Sequence, residues 1–177
     1  MQVKWIYIAI ALLISSITML YFSLKKDDVL IRIDFKRNLF STSDFNANLV
    51  CYEDLLGLSN DGSSFDFYKY EIDGLHQSSL EGEYPEFQKV FKFNELSNID
   101  LSYWKQTPIP KEKEVYHFDI AFSSNLSNSK CPLEFQKKNL LSQSGNYYSY
   151  ISAYPIGAHL LIYSPLEKSL YVISKKG

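Results

Sequence analysis

Leu160-Leu161-Ile162-Tyr163, Ser164-Pro165-Leu166-Glu167-Lys168 and Leu170-Tyr171-Val172-Ile173 decide the fold of this chain. Two apolar runs rich in β-branched and aromatic residues flank a turn that contains proline, a hairpin signature. Both runs are apolar on both faces, so the hairpin belongs in the middle of a sheet with cover on each side. The stretch just before it, Tyr147–Tyr154, reads as a third strand, with Tyr148, Tyr150 and Tyr154 on one face.

Working back towards the amino terminus, Pro132 to about Ser144 has helix punctuation, with proline near the start and Gly145 just past the end. Leu133, Leu140 and Leu141 would face inward. Val115–Phe122 alternates as a strand, with Val115, His117, Asp119 and Ala121 on one side. Thr107-Pro108-Ile109-Pro110 enforces extended backbone. Pro85 suits the first position of a helix running to about Leu96, with Phe87, Val90 and Phe91 inward.

Phe65–Ile72, then Asp73-Gly74, then Leu75 onward reads as a second hairpin with a type I′ turn. It would set Ile72 opposite Leu75 and Glu71 opposite His76. Phe45, Leu49, Tyr52 and Leu56 fall four, three and four apart, a helical stripe, although Asn48–Glu53 also suits a strand. Val29–Phe35 alternates as a strand. Antiparallel strands with two or three helices packed on them predict an α+β domain.

Ahead of that domain, Trp5–Phe22 carries no charge. At ~1.5 Å per residue it reaches about 27 Å, near the thickness of a bilayer core. Residues 5–24 are therefore expected to be a transmembrane helix, dividing the chain into an anchor (1–26) and a domain (27–177). A cleaved signal peptide is the rival reading, but Met19–Leu24 offers bulky residues where a peptidase needs small ones. The flanking basic residues leave the orientation open. Large domains translocate largely regardless of charge, so the expected location is the inner membrane, with the domain on the periplasmic side.

Composition narrows the functions. Of 18 basic residues three precede Asp27, whereas all 20 acidic residues lie from Asp27 onward, so the domain is net acidic. That disfavours nucleic acid, which needs a basic face, and suits a basic protein partner. Aromatics reach 16%, with 14 Tyr and 12 Phe, which leans the composition towards β-structure. The two cysteines, Cys51 and Cys131, are expected to form a disulfide if the domain meets an oxidising compartment, and to be buried thiols otherwise.

Short catalytic signals are few. His117 and Asp119 share a strand face, so an imidazole would lie beside a carboxylate, as a tethered hydrolase would need. A polar strand face explains the same pair. Ser102-Tyr103-Trp104-Lys105 and Ser127-Asn128-Ser129-Lys130 match S-x-x-K without the partner motifs of that serine chemistry. His76, His117 and His159 have no metal-ligand spacing, and no cofactor motif is present.

Two sets of residues look more like binding surfaces. Glu71, Asp73, Glu81, Glu83 and Glu86 gather around Asp73-Gly74, an acidic edge that would dock a basic protein or guard a strand edge. Tyr148, Tyr150 and Tyr154, with Trp104 near the Thr107–Pro110 segment, are interface-type aromatics, though a half-buried strand needs the same residues. The expected function is protein binding, of the immunity or inhibitor type. A structural subunit of a secretion or division complex is the alternative.

Overall fold

A computed structural model describes residues 33–54, 64–86, 99–110, 131, 139–153 and 157–176. Six strands form one antiparallel sheet: β1 (Asn46–Asp54), β2 (Ser64–Asp73), β3 (Ile99–Gln106), β4 (Tyr147–Ala153), β5 (Gly157–Ser164) and β6 (Ser169–Lys176). Their order is β1-β2-β6-β5-β4-β3, which puts the β5–β6 hairpin at the centre. The remaining regular pieces among the described residues are one short helix, α1 (Ile33–Phe40), and a 3-10 turn at Gln77–Leu80.

The sheet is buried on both faces, as the apolar hairpin requires. On the first face Tyr70, Ile72, Ile151, Leu161, Tyr163, Leu170 and Val172 pack under Leu39, Phe40, Phe45 and Leu80. On the second, Phe67, Tyr148, Tyr150, Leu160, Ile162, Tyr171 and Ile173 pack with Cys131 and Leu140. Residues adjacent in each central strand go to opposite cores, because strand side chains alternate.

Phe40 stacks on Trp104 with ring centroids 5.3 Å apart, and the Trp104 indole N–H donates to the Leu39 carbonyl at 2.9 Å. Lys36 Nζ reaches back to the Phe45 carbonyl at 2.7 Å, tying α1 to the entry of β1. On the second face the turn before β4 is fastened to the segment after β3. Thr107 N–H donates to the Asn146 carbonyl at 3.0 Å, and Asn146 N–H donates to Thr107 Oγ1 at 3.1 Å. The Asn146 amide spans the turn to the Leu140 carbonyl at 2.9 Å.

Both edge strands contain a bulge. The register slips between Leu49 and Cys51 in β1, and between Ser102 and Lys105 in β3. One extra residue reverses the facing of everything beyond it. Leu49 therefore packs in the first core, whereas Cys51 lies against the second. At the β3 bulge two serines replace the interrupted ladder. Ser149 Oγ donates to the Ser102 carbonyl at 2.5 Å, and Tyr150 N–H donates to Ser102 Oγ at 3.2 Å.

Several expectations need correction. The α+β class, with two or three packed helices, gives way to a six-stranded antiparallel sheet with a single short helix among the described residues. Among the described residues α1, the 3-10 turn and loop residues cover the first face, and no long helix does. The Phe45–Tyr52 stripe belongs to a strand: the extra residue in the β1 bulge stretches a period of two into spacings of four and three. Ile33–Phe35, read as the end of a strand, opens α1 instead.

Asp73-Gly74 does not make a hairpin. Gly74 takes a positive φ of 85°, and the chain then enters the 3-10 turn. β2 is already paired with β1 on one side and β6 on the other, so no free edge awaits Leu75. His76 is exposed and not opposite Glu71.

The transmembrane anchor and the single-pass inner-membrane location are withdrawn too. Among the described residues no helix is long and apolar enough to cross a membrane, and residues 5–24 lie outside them. The helix to Leu96 beyond Glu86, the strand Val115–Phe122 and the start of the helix at Pro132 also lie outside the described residues. Its end, Asn139–Gly145, is a turn.

Candidate functional site

Of the acidic residues singled out from the sequence, Glu71 and Asp73 lie at the end of the sheet where β2 stops and β5 turns into β6, whereas Glu81, Glu83 and Glu86 follow the 3-10 turn on the segment whose Tyr84 carbonyl accepts from Trp104 N–H of the edge strand β3. Glu71 and Asp73 are exposed on β2, Glu81 and Glu83 are exposed beyond the 3-10 turn, and Glu86 is partly buried. Asp73 meets Lys168 of the β5–β6 turn at 2.8 Å. The hydrogen bond and then the charge of Lys168 lower the Asp73 carboxyl pKa, and the same contacts raise that of the Lys168 ammonium. Both side chains are largely in water, so the pair orients the turn more than it stabilises the fold.

The turn itself is heavily bonded. Lys168 N–H donates to the Pro165 carbonyl at 3.2 Å, and the Lys168 carbonyl accepts from Ile72 N–H at 2.7 Å. Glu167 N–H donates to Ser164 Oγ at 3.4 Å, and Ser169 Oγ donates to the Glu167 carbonyl at 3.0 Å. The Tyr171 hydroxyl holds Glu167 Oε2 at 2.8 Å. Leu166 stands at the tip, 94% exposed. Sequence reasoning passed over it as a turn residue. Its signal was an apolar side chain where a turn normally places a small or polar one.

The aromatic candidates lie elsewhere. Trp104, Tyr148 and Tyr150 are buried, Trp104 in the first core and both tyrosines in the second. Tyr154, His117 and Asp119 fall outside the described residues. Ser102 of the first S-x-x-K match is buried, with its hydroxyl engaged by the Tyr150 amide.

Cys51 and Cys131 are disulfide-bonded, with Cα atoms 6.1 Å apart, inside the range such bonds need. The β1 bulge makes the bond possible. Without the extra residue Cys51 would share the face of Leu49, away from Cys131.

One row across the sheet, polar from β1 to β5 and apolar on β4 and β3, is unannounced by any motif. Asp54, Asp66, Ser174, His159, Ile151 and Leu101 are successive register partners from β1 to β3. In it His159 Nδ1 and Ser174 Oγ are 2.7 Å apart, the spacing of a nucleophile and its base. Acyl transfer also needs N–H donors aimed at the developing oxyanion. β6 is paired on both sides, so the amides around Ser174 are committed to the ladders. The pair joins β5 and β6 as a cross-strand hydrogen bond between register partners.

Among the described residues no group of histidine, cysteine and carboxylate side chains could hold a metal ion. Set beside known proteins, the chain matches no family model, no curated protein and no solved structure.

Proposed function

We propose that this chain is a protein-binding domain of the inhibitor or immunity type, working in an oxidising compartment. The observation that supports this most directly is the exposure of four carboxylates, Glu71 and Asp73 beside the bonded β5–β6 turn and Glu81 and Glu83 beyond the 3-10 turn. Charge placed on a rigid rim steers an oppositely charged partner and suppresses wrong ones. The disulfide fits the compartment, because such bonds persist where thiols are not kept reduced.

The partner is then a protein with a basic face. The test immobilises the full chain and asks for a specific partner whose retention weakens with salt. Reversing three charges together, Glu71→Lys, Glu81→Lys and Glu83→Lys, should slow association roughly tenfold at low salt, read by surface plasmon resonance. A partner indifferent to those changes, or no specific partner at all, would sink the proposal.

A further inference from the structure

The β5–β6 turn holds a leucine in water on a backbone that has little freedom. Leu166 is 94% exposed, against 54% for Tyr52, the next most exposed large apolar side chain among the described residues. With so little of its surface covered, packing within the domain does not account for it. A single exposed leucine is ordinary on a loose surface. Here the surroundings differ. Pro165 restricts the residue before it, and the Lys168 N–H bond to the Pro165 carbonyl closes the turn around it at 3.2 Å. Glu167 is held from three sides: by the Ser164 hydroxyl at 3.4 Å, the Ser169 hydroxyl at 3.0 Å and the Tyr171 hydroxyl at 2.8 Å. Lys168 is tied to Asp73 at 2.8 Å. The ordering that a flexible loop would undergo on binding is largely complete before any encounter.

The electrostatics around the tip complete the argument. Glu71 is in register with Ser169, the first residue of β6, and Asp73 and Glu167 flank Lys168. Among the described residues, three carboxylates stand against two ammonium groups, those of Lys168 and of Lys69, which lies 5.9 Å from the Tyr171 ring centroid, so the rim of the tip stays negative by one charge. An apolar knob with an acidic rim matches an apolar socket with a basic rim.

We propose that Leu166 is the anchor by which this domain docks a protein partner, entering an apolar socket bordered by lysine or arginine side chains. The proposal rests on the protein-binding reading above and goes beyond it by naming the anchoring side chain and the chemistry of the socket. Burial of the leucine sets the residence time, and the carboxylate rim sets the association rate.

The test places the photoreactive residue benzoyl-phenylalanine in the full chain at position 166, and separately at position 103 on the opposite edge strand. Irradiation in the source cells should give one adduct with a different protein from position 166 and none from position 103. Capture alone does not decide the matter; affinity for the purified adduct partner does. Leu166→Asp should weaken binding at least about 30-fold, the scale of an interface hot spot, mainly through faster dissociation. Leu166→Met should stay within about threefold, because it conserves volume and apolar character. The melting temperature should be unchanged in both, since the side chain packs against nothing in the fold.

Several outcomes overturn the anchor. They are an adduct with a second copy of this chain, equal adducts from both positions, or a partner bound equally well by Leu166→Asp. In the last case the protein-binding reading stands while the anchor falls. No adduct from either position, together with no partner retained by the immobilised full chain, removes both.

Discussion

The two faces of the sheet are closed by different means. On the first, α1 and the residues leading into β1 fold down locally, and Phe40 stacks on Trp104 at 5.3 Å. On the second, a covalent bond spans a sequence separation of 80, and buried Thr107 and Asn146 clamp the turn before β4 to the segment after β3. Packing closes one side and a cross-link holds the other. Only the second therefore answers to the redox state of its surroundings.

That difference can be broken experimentally, starting from the cross-link. Replacing both cysteines by serine should cost about 4–5 kcal/mol in the chain-entropy estimate for a loop of this length, read from urea unfolding. Reductant should reproduce the loss in the native protein. The indole N–H of Trp104, bonded on the first face, should keep its NMR shift below the transition. If that signal moves with the disulfide, the two faces are not independent.

The converse change is Phe40→Ala. It removes a fully buried ring that contacts Phe45, Trp104 and Tyr163, and should cost about 3–4 kcal/mol. The loss should be the same with and without the disulfide, because sites on opposite faces share no partners. A coupling energy above about 0.5 kcal/mol between the two changes would refute the separation.

The smallest effect is a matter of pH. Burial, and then the charge of Tyr147, raise the pKa of the Tyr163 phenol above its ordinary value of 10.0. The unfolded chain thus releases this proton first as pH rises. The contribution of Tyr163 to stability is complete below pH 10.0 and declines above it, until the folded phenol also ionises. Tyr163→Phe should lose less stability than the native protein between about pH 10 and 11. Identical alkaline profiles would show that Tyr163 is not in the dry first core.

How much of this could be read in advance follows from the locality of each signal. The β5–β6 hairpin was legible because turn and strands lie within one short stretch. Its centrality was legible because residues apolar on both sides need two covers. The bulges were not. At β1 an extra residue turned a strand into an apparent helix, with Phe45, Leu49 and Tyr52 at spacings of four and three. Asp73-Gly74 misled for a different reason. The local turn chemistry was sound, but β1 and β6 already occupied both edges of β2.

At the candidate site the split is similar. The acidic residues could be named from the sequence, since charge seldom goes inside without a partner. Leu166 was overlooked because its meaning depends on bonds from Asp73, Ser164, Ser169 and Tyr171 that secure the turn. Trp104, Tyr148 and Tyr150 could be read either as interface or as core, because an aromatic residue reads alike in both. Only burial separates the two.

By itself, then, the sequence determined the central hairpin, the antiparallel character of the sheet, the acidity of the domain and the pair of cysteines able to bond. Each follows from composition or from patterns only a few residues long. The tertiary structure decided the strand order, the single short helix among the described residues in place of two or three, the side of the sheet on which each edge residue falls, and the exposure of Leu166. These depend on which groups already hold partners, and hydrogen-bonding edges and buried volume are filled by residues far apart along the chain.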